Sequence, residues 1–225
     1  MSIALNGVTL DAGRTAVREW HETVGGRDRR RIELQGTVEA ASRAKMTETL
    51  DAILAAASAA DYSAALSLRP GRIIRVRRIA FTREPAPDSP RAAFTLRLES
   101  EGPFEYAESV TEHAWPIAGS GAVLTIDPDG NAPAPVVVAL EAESELVKPA
   151  LGDGERVMQY QGAVGMGGVI VFDGVEGEVT LNGEDVTPYS AGDFPRLESG
   201  GTTLTFTAES GGTAQGQAAY RDRWW

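Results

Sequence analysis

The sequence predicts a mainly β protein in two parts: an N-terminal β-rich domain with one helix and a long hairpin, then a C-terminal β-sandwich. Three observations carry this. Short alternating or β-branched runs recur along the chain between clusters of Gly, Pro, Asn and Asp. A single segment, residues 43–57, spaces its apolar residues as a helix does. The charge also changes abruptly near residue 115. Residues 1–115 carry 16 Lys/Arg and 16 Asp/Glu, whereas residues 116–225 carry 5 and 16, which supplies the whole net charge of −11. The expected division is 1–116 and 117–225, with Ile-Ala-Gly-Ser-Gly at 117–121 as the linker.

Taken in order, residues 3–10 read as a short hairpin about Asn6-Gly7. Residues 30–38 alternate, with Ile32 and Leu34 on one face and Glu33 and Gln35 on the other, as in a half-buried strand. In the helix, Met46, Leu50, Ile53, Leu54 and Ala57 form one apolar stripe and Ser42 is the expected N-cap. A long hairpin follows: residues 62–68, a turn at Arg69-Pro70-Gly71-Arg72, and residues 73–82. Residues 83–90 read as a loop and 91–99 as another alternating strand. In the second half the expected strands are 123–126, 136–141, 156–160, 169–173, 178–181, 202–207 and 216–221. Even spacing of short strands indicates a sandwich or jelly roll, and no internal repeat is visible.

Several function classes are disfavoured by composition. With 42% hydrophobic and 24% charged residues the chain is that of a packed globular protein. No apolar run approaches the roughly 20 residues that cross a bilayer, so no membrane role is expected. There are no cysteines and two histidines, His21 and His113, so neither a zinc site nor a nucleophile–His–Asp set is expected: no metal, no cofactor, no catalytic residue. The Gly162 to Gly168 stretch is glycine-rich, but a strand follows it where a phosphate loop needs a helix. Asp127 to Asn131 imitates the start of a calcium loop, but Val138 stands where the twelfth-position carboxylate belongs, so it reads as a turn. The acidic second half is a poor match for phosphates, and direct nucleic-acid binding is not expected.

One cluster stands out. In residues 73–81, Ile74, Val76, Ile79 and Phe81 share a face only if an extra residue sits at Arg77-Arg78, the mark of a β-bulge. Arg72, Arg75, Arg77, Arg78 and Arg83 then gather on or beside the outward face. Two readings stand: an edge kept soluble by charge, or a contact in which these arginines grip carboxylates of a neighbouring copy, among them Glu99, Glu101 and Glu105.

The second half carries a recognisable order of segments. Asn131-Ala132-Pro133-Ala134-Pro135 enters an apolar strand, and Arg156-Val157-Met158-Gln159-Tyr160 and Val169-Ile170-Val171-Phe172-Asp173 follow. Next come Glu178-Val179-Thr180-Leu181-Asn182-Gly183, Phe194 and Leu197 before Gly200-Gly201, and the ending Tyr220-Arg221-Asp222-Arg223-Trp224-Trp225. This resembles the C-terminal domain of siphophage distal tail proteins, a family also found in gene transfer agents. The first half resembles the family's ring-forming domain in organisation. The resemblance implies a galectin-like β-sandwich at the C-terminus and a ring- or hub-forming domain at the N-terminus. It implies a hexameric ring at the virion tail tip, made in the bacterial host's cytoplasm. Such a ring joins the tail tube protein to hub, baseplate or fibre proteins and has no enzymatic role. The alternative is a carbohydrate-binding sandwich for host-surface recognition, drawing on Tyr160, Tyr189, Tyr220, Trp224 or Trp225.

Overall fold

The computed structural model describes residues 3–210 and 212–225. The chain divides into two compact units, one running to Glu108 and taking in Trp225, the other spanning Ser109–Trp224.

The first unit holds strands β1 (Ile3–Leu5), β2 (Val8–Leu10), β3 (Thr15–Val24) and β4 (Arg27–Glu39), helix α1 (Arg43–Ala55), and strands β5 (Ala64–Ser67), β6 (Arg72–Pro85), β7 (Arg91–Ser100) and β8 (Glu105–Ala107). Seven of these strands form one antiparallel sheet in the order β2-β1-β5-β6-β7-β4-β3, and β8 pairs the start of β6. Asn6 and Gly7 both adopt positive φ, 45° and 85°, which is what a two-residue hairpin turn requires. Alternation does the rest. Ile32, Leu34 and Val38 of β4, Ile74 and Val76 of β6, and Ala92, Phe94, Leu96 and Leu98 of β7 point to one side and are buried there. Met46, Leu50 and Ile53 of α1 close the same core, each such side chain contributing about 1.5–3 kcal/mol by burial. The Ser42 hydroxyl accepts from the Lys45 N–H at 3.2 Å and starts the helix. Gly36 lets the sheet close over its largest core ring, since a Cβ there would stand 2.6 Å from Phe94.

Four expectations change here. The helix ends at Ala55, two residues early, although Ala57 remains buried. The strand expected at 30–38 runs over Arg27–Glu39 and forms a hairpin with β3, which the alternation had not revealed. Strand β6 continues to Pro85, so Arg83 and Glu84 lie in a strand and not in the expected loop. The bulge is present, but one residue later. Arg78 pairs with Leu98 and Ala80 with Arg97, which leaves Ile79 as the extra residue, exposed and off the apolar face.

The second unit holds β9 (Thr111–Ile117), β10 (Val123–Ile126), β11 (Ala134–Ala142), β12 (Leu146–Val147), β13 (Ala150–Gly152), β14 (Val157–Tyr160), β15 (Ala163–Val164) and β16 (Val169–Asp173). It continues with β17 (Glu178–Leu181), β18 (Glu184–Asp185), a 3-10 turn (Thr187–Tyr189), β19 (Ser190–Gly192), β20 (Arg196–Leu197), β21 (Thr202–Thr207) and β22 (Ala214–Tyr220). One sheet runs β10-β21-β13-β14-β19. The other runs β18-β17-β16-β11-β22-β9, with β20 against the start of β11. Their inward faces share one core, in which Trp115, Val138, Leu140, Phe172, Leu204 and Phe206 are fully buried. This is a β-sandwich. Asn182 and Gly183 take φ of 53° and 83° in the tight turn between β17 and β18. Leu197 is buried with Phe194 packed beside it, as the sandwich-end plug requires. The segment read as a linker, 117–121, lies inside this unit. Ile117 closes β9, Gly121 donates to the Phe206 carbonyl at 2.8 Å, and the Ser120 hydroxyl accepts from Ala208 at 3.1 Å. The charge break therefore falls within β9, all of which pairs with β22, while the units divide at Glu108 and Ser109.

Candidate assembly surface

The outward face of the first sheet is built around carboxylates. Glu99 of β7 stands directly opposite Arg31 of β4 on one side and Arg77 of β6 on the other. Its side chain is only 3% exposed. Arg31 Nη1 reaches it at 2.6 Å and Arg77 Nη2 at 2.8 Å, and Arg29 and the Tyr62 hydroxyl close the ring of donors. The Arg29 and Arg77 guanidinium groups also lie over the Tyr62 ring, 5.5 and 5.1 Å from its centroid. Burial alone would raise the Glu99 pKa. The Tyr62 hydroxyl, Arg31, Arg77 and Arg29 outweigh it and hold the carboxyl below its ordinary value. Burial, then the neighbouring Glu99, pushes the Tyr62 phenol up.

Glu105, on β8, repeats the arrangement. Its side chain is 2% exposed and meets Arg30 at 3.1 Å, Arg69, and Arg72 at 3.7 Å, while Arg30 also grips Glu19. Further along the sheet Arg97 Nε donates to Glu33 at 2.7 Å, and Arg97 is the first cause of that carboxyl's lowered pKa.

The five arginines expected on one face therefore separate. Arg75 and Arg77 do face outward. Arg78 does not: the bulge leaves it on the helix side, where Nη1 donates to the Leu54 carbonyl at 2.8 Å and satisfies one of the free carbonyls at the end of α1. Arg83 likewise turns to the helix and pairs with Asp51 at 2.9 Å, an exposed pair of little energetic weight. Arg72 belongs to the Glu105 cluster. Glu99 and Glu105, read from sequence as candidate acceptors for a neighbouring copy, are engaged within their own chain; Glu101 is exposed. Arg75 is exposed and donates to the Ser63 carbonyl at 3.3 Å. Sequence reasoning missed Arg29, Arg30, Arg31 and Arg69. The signal was present: three consecutive arginines in a strand put cations on both faces, and both faces then need carboxylates.

His21 is exposed on β3, while His113 lies in the second unit, its ring stacked 6.0 Å from Tyr220. Among the described residues no group of three His, Asp or Glu is placed to hold a metal ion. In the second unit Tyr220 is buried, Tyr160 packs against the core and Tyr189 is exposed. The outward positions of the five-stranded sheet, among them Val123, Thr125, Thr203, Thr205, Val157 and Gln159, include no aromatic ring on which a sugar could stack.

Comparison with known proteins agrees with this architecture. Residues 129–224 match the family described as siphovirus-type tail component, C-terminal domain. The whole chain is similar to the crystal structure of SPP1 Dit (gp 19.1), described as a paradigm of the hub adsorption apparatus in phages infecting Gram-positive hosts. The TM-score is 0.70 at 13% identity, covering 100% of this chain and 99% of that one. No curated protein matches. The sandwich's Asn182-Gly183 turn and Leu197 plug lie within the matched residues, and it is through residues 129–224 that the chain is similar to the siphovirus-type tail component C-terminal domain.

Proposed function

We propose that this phage tail component assembles into a hexameric ring at the tail tip, joining the tail tube to hub or fibre proteins. The first unit builds the ring and the second serves as the appended sandwich. The observation that carries the reading is the likeness to SPP1 Dit over the full length of both chains, through both units and not the matched family segment alone. The first unit supplies a fitting scaffold, because a sheet braced by two buried ionic clusters resists bending at its surface. The contact between arginines and a neighbouring copy narrows to Arg75, the exposed member of the five that makes no ion pair with a carboxylate among the described residues. The unit running to Glu108, with Trp225, and the unit Ser109–Trp224 are the working domains, and a gene transfer agent's tail would use them as a phage's does. Measurement of mass by light scattering with negative-stain imaging tests the reading. Six copies around a central channel are expected, and a single copy at every concentration overturns it.

A further inference from the structure

We propose that Asn6-Gly7 is a site of spontaneous covalent modification, where the chain loses ammonia to leave aspartate or isoaspartate, and that the fold shields its twin at Asn182-Gly183.

The chain has three asparagines, and two of them stand in the same tripeptide, Leu-Asn-Gly, at residues 5–7 and 181–183. The third, Asn131, precedes Ala132. A glycine after asparagine leaves its own backbone nitrogen open to the side-chain amide, because no Cβ stands in the way. The step is a cyclisation followed by hydrolysis. The Gly7 nitrogen gives up its proton to water or hydroxide and attacks Cγ of Asn6. The N–Cγ bond forms, the Cγ–Nδ2 bond breaks, and Nδ2 leaves as ammonia with a proton returned by water. The resulting succinimide takes up one water and opens on either side. Opening at Cγ gives aspartate, and opening at the main-chain carbonyl carbon gives isoaspartate, in which the chain runs on through the side chain. The sum is amide plus water to carboxylic acid plus ammonia, with no change of oxidation state.

The two sites match closely in the folded chain. Each is the two-residue turn of a hairpin, closed by Leu5 with Val8 and by Leu181 with Glu184. The asparagines take φ of 45° and 53° and the glycines 85° and 83°, and all four residues are exposed. The asparagine N–H is used alike: Asn6 donates to the Ala65 carbonyl at 2.7 Å and Asn182 to the Val169 carbonyl at 2.8 Å. One contact differs. Asn182 Oδ1 accepts the Val169 N–H at 2.9 Å, whereas the Asn6 side chain makes no hydrogen bond among the described residues. Cγ of Asn182 can turn toward the Gly183 nitrogen only after that bond breaks and the Val169 N–H loses its partner. Asn6 needs no such release. One hydrogen bond of ordinary net strength sets the difference at about fivefold in rate.

The position matters to the first unit. Register in so short a hairpin is set by its turn, and isoaspartate adds a backbone carbon inside that turn. The hairpin carries Ile3, Leu5 and Leu10 into the core, where they are 3%, 0% and 5% exposed. Conversion at Asn6 therefore loosens the first unit's core and leaves the sandwich as it was.

Incubation of the whole protein in warm, mildly alkaline buffer, then trypsin digestion and mass spectrometry, tests this. The peptide ending at Arg14 carries Asn6, and the peptide 157–196 carries Asn182. The first gains one mass unit at its asparagine, three in heavy-oxygen water, about fivefold faster than the second. In urea, where only the shared tripeptide acts, the two rates converge. The first unit's calorimetric transition falls as conversion proceeds while the sandwich's stays. Asn6→Gly, which keeps a residue suited to positive φ, shows neither the mass gain in that peptide nor the fall. Equal rates in the folded protein, or a faster second peptide, overturn the proposal, as do rates in urea that already differ as much. A first unit whose melting is unmoved after Asn6 has converted overturns the link to the core.

Discussion

Replacing Glu99 by Gln removes one negative charge from among Arg29, Arg31 and Arg77 while keeping the side chain's shape. Breaking a buried ion pair by removing one partner costs about 3–5 kcal/mol, because the other charge stays desolvated. The arginines here are 18%, 20% and 38% exposed, so water recovers part of that cost and about 2–3 kcal/mol is the working figure. For a domain of this size 1 kcal/mol moves the melting temperature by about 4–8 °C, so the first unit should melt roughly 10–20 °C lower. Differential scanning calorimetry is the assay, and the sandwich transition, expected to be unmoved, is the internal reference. The pH dependence follows from the same group. Its folded pKa is depressed below the ordinary 4.5, so Glu99 contributes stability that is fully present above that value and lost as pH falls through the folded pKa. Wild type should lose first-unit stability more steeply below pH 4.5 than Glu99→Gln does. A melting shift under about 2 °C, or equal acid slopes in the two proteins, would refute the reasoning.

Arg77→Glu should destabilise the first unit by about 2 kcal/mol or more by placing a second carboxylate beside Glu99, whereas Arg75→Glu should leave its melting within about 0.5 kcal/mol. Equal effects on thermal melts would show that the two outward arginines do the same job. Asp153, 3% exposed, accepts backbone N–H groups from Glu155, Arg156 and Arg196 and the Arg156 side chain, so Asp153→Ala should cost the sandwich about 3 kcal/mol in urea unfolding. A midpoint shift under about 0.5 kcal/mol would mean that water replaces the carboxylate. Residues 116–225 bring a charge of −11 per copy into any assembly, so rings should tighten as salt rises from low to physiological concentration. Rings that loosen with salt in sedimentation would instead indicate that a contact such as Arg75 with a carboxylate dominates.

The sandwich was the more legible unit. Strands Val123–Ile126, Val169–Asp173, Glu178–Leu181 and Thr202–Thr207 lie where period-two alternation and turn residues place them, because each buries one face and is bounded on at least one side by Gly, Asn or Asp. The short strands β12, β15, β18 and β20 were invisible, since two residues carry no period. Strand β3 was missed for another reason. As an edge strand with a polar outer row and Trp20 exposed, it has neither the alternation of a half-buried strand nor the continuous apolar run of a central one. The bulge was legible because the apolar phase slips within β6. Its exact rung was not, because Arg78 and Ile79 exchange the faces that hydropathy assigns them.

That exchange explains why the candidate site was only half readable. Hydropathy sends an arginine to solvent by default, and the default fails when a carboxylate or a helix end waits inside. Arg78 is drawn inward by the open Leu54 carbonyl, while Arg77 stays on the outer face but is held by Glu99, and Arg72 is held by Glu105, each a partner distant in sequence. Charge counting cannot reveal such pairs, because residues 1–115 balance at zero whether the ions meet or not. Once the clusters absorb their arginines, charge no longer marks the first unit's interaction surface.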